Sequence, residues 1–247
     1  MSRHDVITNG ETLVIPNDDP AVTVVTGYRR FLVGLDIAQS AATVDANAVS
    51  IILDEQVPQP DQTLAPRRRV IVRAERIPAM SYVQLAQVTK NLMLDPMLAG
   101  RAYLVVDAGG PGRAYADLLN AKDCLHTRMQ IVSGENETET TERGIKFNNV
   151  SKNLLLGSFN SALHTGDLLI GDIPMRAELQ AELESFEASV GLSGRMRLTG
   201  GTAGGHADAA MAAAMAFWLS DHRSVGAHVG RNEAARLLVT LNTIATP

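Results

Sequence analysis

Three aspartates stand where chain geometry could make them act together. Asp36 closes the apolar run Phe31-Leu32-Val33-Gly34-Leu35, and Asp107 closes Tyr103-Leu104-Val105-Val106. Asp208 opens an alanine-rich segment behind the glycine-rich stretch at 200–205. A short apolar run that ends in an acid reads as a buried strand whose last residue leaves the sheet. Strands ending along one sheet edge can bring acids from distant sequence positions within a few ångströms of one another. Three carboxylates gathered without arginine partners repel, so they require a cation, and their oxygens suit hard divalent ions such as Mg²⁺ or Mn²⁺. Singly, each aspartate also has a plain structural role, because Asp forms turns after strands and Asp208 could be a helix N-cap.

The elements needed to position these acids follow from periodicity and punctuation. Runs at 30–37, 48–53 and 69–77 read as three strands in tandem, the third alternating apolar and basic residues. Ser81 is placed to cap a helix running to about Met93 or Leu98, and 103–107 reads as a fourth strand. Gly109-Gly110-Pro111-Gly112 breaks the chain and frees Asp107 before a helix at 113–121; a fifth strand is expected at 129–132. Ser151 caps a helix to about 164, and 168–170 reads as a short strand. Residues 175–189 carry Leu179, Leu183 and Phe186 at helical spacing with glutamates on the other side; 195–198 reads as an edge strand. A helix over 208–219 closes the series, its alanines letting it lie close to the sheet and bring Asp208 to the strand ends. A strand meander followed by strand–helix alternation is an α/β pattern: a mixed five-stranded sheet flanked by helices, with extra short strands in the C-terminal part. Residues 1–28 read as a leader or arm, 29–222 as the domain, 223–247 as a C-terminal extension, and the polar stretch 134–151 as a surface loop.

Composition narrows the class of function. The 247 residues are 45% hydrophobic and 20% charged, an ordinary globular mixture. The single cysteine, Cys124, excludes a disulfide scaffold and a multi-cysteine metal site. No apolar run can cross a bilayer and the N-terminus lacks a signal-peptide pattern, so a cytoplasmic protein without a membrane partner is expected. A net charge of -5 argues against coating nucleic acid by bulk charge, but not against a local basic surface around an acidic site. Of 22 basic side chains only Lys90, Lys122, Lys146 and Lys152 are lysines. Arg67, Arg68 and Arg69 precede and enter the third strand beside Arg73 and Arg76, and Arg195 and Arg197 line the edge strand. With Arg143 and Lys146 in the polar stretch, they are the candidates for DNA phosphates, weighed against a solvated strand face. The histidines at 4, 126, 164, 222 and 228 show no metal-ligand spacing, and Cys124 with His126 lacks the third group of a nucleophilic triad.

Several segments resemble one family in the same order. Phe31-Leu-Val-Gly-Leu-Asp36-Ile-Ala-Gln-Ser40 is similar to the first strand of the nuclease domain of phage terminase large subunits. Val105-Val-Asp107-Ala-Gly-Gly-Pro-Gly112 resembles that family's V-D-A-T-G-x-G strand and turn, and Val150-Ser151-Lys152-Asn153-Leu154 its V-P-K-x-x-L helix start. Residues 168–186 resemble its L-x-I…L-x-x-E-L-x-x-F segment, and Gly205-His206-Ala207-Asp208 its G-H-x-D before the closing helix. The resemblance spans about 31–220 and implies a ribonuclease H-like fold and a metal-dependent endonuclease that cuts concatemeric phage DNA during packaging. It implies catalytic, metal-holding roles for Asp36, Asp107 and Asp208, two Mg²⁺ or Mn²⁺ ions with substrate bound, and support from Lys152 and His206. The implied partners are double-stranded DNA and a terminase ATPase, small terminase or portal component. Two departures are visible: Ala207 replaces the acid of the H-D-D variant, and Gly109-Gly110 replaces a common threonine turn.

No G-x-x-x-x-G-K-[ST] occurs, so this chain is expected to carry no ATPase motor. Two other classes stay open. A catalytically silent DNA-binding or assembly module would use the same fold, because fold does not fix function. A sugar-kinase or actin-like ATPase shares the strand–Asp pattern but needs two copies of the fold, and this sequence shows one meander.

Overall fold

The computed structural model describes residues 7–15, 24–37, 47–190, 196–199 and 207–230. Two compact units emerge, one from 1–30, 54–68 and 224–247, the other from 31–53 and 69–223. Strands β1 (Ile7–Asn9) and β2 (Thr12–Val14) pair antiparallel, and β3 (Val24–Asp36) runs through both units.

The larger unit is a sheet between two layers of helices. Beyond β3 its elements are β4 (Asn47–Gln56) as far as Leu53, β5 (Arg68–Ile77) from Arg69, α1 (Tyr82–Met93), β6 (Ala102–Asp107), α2 (Gly112–Ala121) and β7 (Thr127–Val132). Then come β8 (Glu137–Glu142), β9 (Ile145–Ser151), α3 (Lys152–Thr165), β10 (Leu169–Ile170) and α4 (Arg176–Glu184). A two-stranded pair, β11 (Glu187–Val190) with β12 (Met196–Thr199), precedes α5 (Asp208–His222). The strand order is β10-β5-β4-β3-β6-β7-β9-β8. The five strands expected from the sequence form its middle, and β10, β9 and β8 extend it at both edges. Strands β3, β6, β7 and β9 are parallel neighbours, whereas β8 returns antiparallel to β9, so the sheet is mixed.

Period-two alternation decides which residues meet which helices. Phe31, Val33 and Leu35 face a core shared with Leu85, Tyr115 and Leu119 of α1 and α2. Leu32, Ile52 and Val105 face the opposite core, with Leu155 and Phe159 of α3, Leu179 of α4 and the buried run of α5. Ser81 caps α1 through a capping box with Gln84, and the Ser151 hydroxyl accepts the Leu154 N–H at the start of α3.

The structure departs from the sequence pattern in three places. Residues 137–151 form the β8–β9 hairpin rather than a loop, turning through Arg143 and Gly144 at φ 51° and 79°. From Thr138 onward β8 faces solvent, while Glu137 accepts the Trp218 indole N–H at 3.1 Å and Phe147 and Val150 of β9 are buried. Helix α4 stops at Glu184, and 187–190 join β12 as a strand instead. In the smaller unit the expected leader contains the β1–β2 hairpin, turned at Gly10-Glu11, and β2 pairs antiparallel with β3 through Thr12–Tyr28. Strand β13 (His228–Gly230) pairs with β3 as well. No described helix is long and apolar enough to cross a membrane.

Candidate active site

The parallel register puts two of the aspartates side by side. Leu35 lies opposite Val106, so the next residues, Asp36 and Asp107, leave the sheet at the carboxyl ends of β3 and β6. Both continue the even-numbered or odd-numbered row that faces α5: Leu32, Gly34 and Asp36 on β3, Val105 and Asp107 on β6. Helix α5 can reach them because its contact surface is nearly bare. A methyl group at Gly34 would stand 1.9 Å from the Ala212 carbonyl oxygen, and the Ser50 hydroxyl donates to the Ala209 carbonyl at 3.2 Å. The small side chains thus do what the sequence suggested: they let α5 lie on the sheet with Asp208 in its first turn.

Electrostatics report the convergence. Burial first, then the charges of Asp107 and Asp208, push the Asp36 carboxyl well above the ordinary carboxylate value; the Ile37 N–H and the Lys152 ammonium pull it back. Asp107 is also raised, by burial, against N–H groups of Gly109 and Ile131. The Gly109 N–H lies 2.8 Å from Asp107 Oδ1. Gly112 has no room for a Cβ, which would stand 2.1 Å from the Asp107 carbonyl oxygen. The glycine-rich turn therefore wraps the aspartate. Lys152 opens α3 directly after β9, at the same sheet edge, with its ammonium 5.8 Å from the centre of the Phe186 ring.

These donors match a hard divalent cation in chemistry, being carboxylate oxygens in a common negative field. Among the described residues, however, no three His, Cys, Asp or Glu side chains stand close enough to form a ready ion cage. A cavity of 610 Å³ beside α3 is lined by Glu135, Asn153, Leu154, Leu183 and Phe186, without an aspartate of the trio.

The basic candidates are placed differently from one another. In the smaller unit the buried Asp54 carboxylate accepts from Tyr28, Arg30 and Arg67, the Arg67 Nε at 2.9 Å. Glu55 holds Arg29 and Arg68 at 2.6 and 2.9 Å, leaving the Arg68 side chain 58% exposed. In the larger unit Arg69 is nearly buried, bound to Asp221 at 2.7 Å and to Ser220 at 3.2 Å, with its guanidinium over Phe217. Arg143 is exposed at the hairpin turn, and Lys146 pairs with Glu139 on the surface. Arg197 lies on β12 opposite Ser189. Arg195 and His206 lie outside the described residues.

Sequence reasoning met Glu182 only as the glutamate of the L-x-x-E-L-x-x-F resemblance and gave it no role. It sits on α4, is 1% exposed, ion-pairs with Arg76, and accepts the Ala210 N–H at 2.9 Å. The signal was its place in the 179/182/183/186 stripe, which put a glutamate on the apolar face rather than the wet one. Arg73 pairs with neighbouring Glu75.

The sheet order, the parallel centre and the two helical layers define an α/β fold of the ribonuclease H-like class. It is the fold of terminase large-subunit nuclease domains. The large terminase nuclease from thermophilic phage G20c superposes with a TM-score of 0.54 at 19% identity, covering 86% of this chain and 90% of that one. The same nuclease with bound magnesium gives 0.54 at 20% identity, over 86% and 89% of the two chains. The Thermus phage P74-26 large terminase nuclease domain gives 0.52 at 20% identity, over 85% of each. No family model and no curated protein sequence matches the chain.

Proposed function

We propose that this chain, through residues 29–222, is a divalent-metal-dependent DNA endonuclease of the terminase type, with Asp36, Asp107 and Asp208 as its metal-holding carboxylates. The observation that carries this reading is the field at Asp36, where two carboxylates from positions 107 and 208 raise a third. Such a concentration of negative charge at the carboxyl edge of a sheet suits a cation and a phosphodiester. Mg²⁺ or Mn²⁺, with two ions expected in the substrate complex, would polarise the scissile phosphate and lower the pKa of water there.

The chain's own residues have distinct roles in this reading. Asp36, on the central strand, with Asp107 and Asp208, would hold the metal through carboxylate oxygens. Gly109 and Ile131 orient Asp107 through backbone N–H groups. Lys152 supplies positive charge to the same edge and would contact a phosphate. His206 precedes α5 and is proposed as support. Arg143 and Lys146 on the hairpin, with Arg68, Arg195 and Arg197, are the proposed contacts to double-stranded DNA. Arg67 and Arg69 contribute through their positive charge while holding the fold. The setting would be the host-cell cytoplasm during viral genome packaging, with a terminase ATPase, small terminase or portal as partner. The structure of the G20c nuclease with bound magnesium supports this cofactor class.

A catalytically silent DNA-binding or assembly module is favoured by one observation, the lack of a ready three-ligand cage among the described residues. Cleavage separates the two readings. Supercoiled plasmid incubated with the protein and Mn²⁺ or Mg²⁺ should be nicked and linearised, and Asp107→Ala should be inert while still binding DNA. Binding without cleavage in either metal would establish the silent module.

A further inference from the structure

We infer that Glu182 is a positioning residue for Asp208: a carboxylate from α4 that fixes the first turn of α5 and so sets the metal affinity of the site. The inference rests on the metal-dependent reading above and names a residue that reading does not use.

Helix α5 begins without a side-chain cap at its N-cap position. The first N–H groups of any α-helix lack intrahelical partners and are usually satisfied by a side chain at the N-cap. Here the N-cap is Ala207, whose methyl group cannot accept, and no side-chain cap bond is made from that position. The first turn instead finds its acceptor on another helix. Glu182 Oε2 receives the Ala210 N–H at 2.9 Å, and Oε1 pairs with Arg76 of β5. Glu182 is 1% exposed, whereas the Arg76 side chain remains 40% exposed, so the pair is anchored at the glutamate.

The consequence for Asp208 is geometric. It is the first residue of α5, two positions before Ala210, and its main-chain position follows from the turn that Glu182 holds. Arg69 of β5 holds the far end of the same helix through Ser220 and Asp221, and two other contacts lie nearer Asp208, Ser50 on the Ala209 carbonyl and Gly34 against the Ala212 carbonyl. Both act on carbonyls and set the distance between α5 and the sheet. Ser50 and Glu182 thus both reach the first turn of α5, the one through a carbonyl and the other through an N–H, and Glu182 satisfies a donor that the Ala207 cap leaves open. A residue that orients a metal ligand through one intermediate typically changes affinity or activity about 10- to 100-fold when removed.

The experiment is Mn²⁺ titration followed by electron paramagnetic resonance, on wild type, Asp36→Ala, Glu182→Ala and Glu182→Gln, at a temperature where circular dichroism shows each folded. Glutamine keeps an oxygen for the Ala210 N–H and loses only the charge toward Arg76. Glu182→Ala should weaken Mn²⁺ binding about 10- to 100-fold, and Glu182→Gln should recover most of the loss. Wild-type affinity in folded Glu182→Ala would overturn the inference, as would equal losses in the alanine and glutamine proteins. If Asp36→Ala binds Mn²⁺ as wild type does, the metal-site reading itself fails. Loss with Asp36→Ala but not with Glu182→Ala defeats the positioning role alone.

Discussion

Replacing Gly34 by alanine tests whether the close approach of α5 makes the site. The added carbon would stand 1.9 Å from the Ala212 oxygen, 2.9 Å from the Ala212 carbon and 3.0 Å from the Ala216 nitrogen. All are backbone atoms of α5, so no side-chain rotation relieves the clash, and strand and helix must part by about 1 Å. Overpacking a closed core costs about 1–3 kcal/mol. For a chain of this size each kcal/mol lowers Tm by roughly 2–4 °C. Displacing a catalytic group by about 1 Å costs on the order of 100-fold in rate. Thermal melting and plasmid nicking below the transition of the variant would measure the two effects separately. Gly157→Ala is the control: its Cβ meets nothing within 4 Å in α3, and the change should stabilise by about 0.5–1 kcal/mol without slowing cleavage. A Gly34→Ala protein that melts and cuts like wild type would refute the reasoning.

In metal-free buffer Asp36→Asn should be more stable than wild type at neutral pH. The raised Asp36 pKa means that its favourable protonated state is lost as pH rises through the folded value, so the gap should vanish near pH 4 and widen above it, and Mn²⁺ should stabilise only wild type in thermal melts. Asp54→Asn should cost about 3–5 kcal/mol, because it removes the buried carboxylate that Arg30 and Arg67 both bind. Burial raises the Asp54 carboxyl, but Arg67 and Arg30 outweigh this and hold it below its ordinary value; the stability it provides is present above about pH 4 and lost in acid, so the variant should flatten the acid limb of a urea-stability profile. Arg143→Ala should weaken DNA binding equally for all sequences and reduce the salt slope by about one, measured by fluorescence anisotropy; an unchanged slope would remove the hairpin from the DNA surface.

Most of the framework was legible because it rests on local signals. The apolar runs ending in Asp36 and Asp107 gave both strand and exit, Ser81 and Ser151 marked helix starts, and the alanines of α5 foretold its close seat. What escaped depends on partners distant in sequence. The β8–β9 hairpin turns at Arg-Gly instead of the stronger Asn-Gly signal, and its outer strand is polar. Arg67 and Arg69 read as free charges until Asp54 and Asp221 were brought to them by folding. Glu182 looked like one of several surface glutamates on a helix, because its acceptor role needs an N–H 28 positions away.

The measurement that bears most directly on the central claim is an anomalous difference map from crystals grown with a short DNA duplex and Mn²⁺. The account predicts peaks between the carboxylates of Asp36, Asp107 and Asp208, with a DNA phosphate at the same edge of the sheet. Duplex seated elsewhere with manganese absent from these three side chains would contradict it.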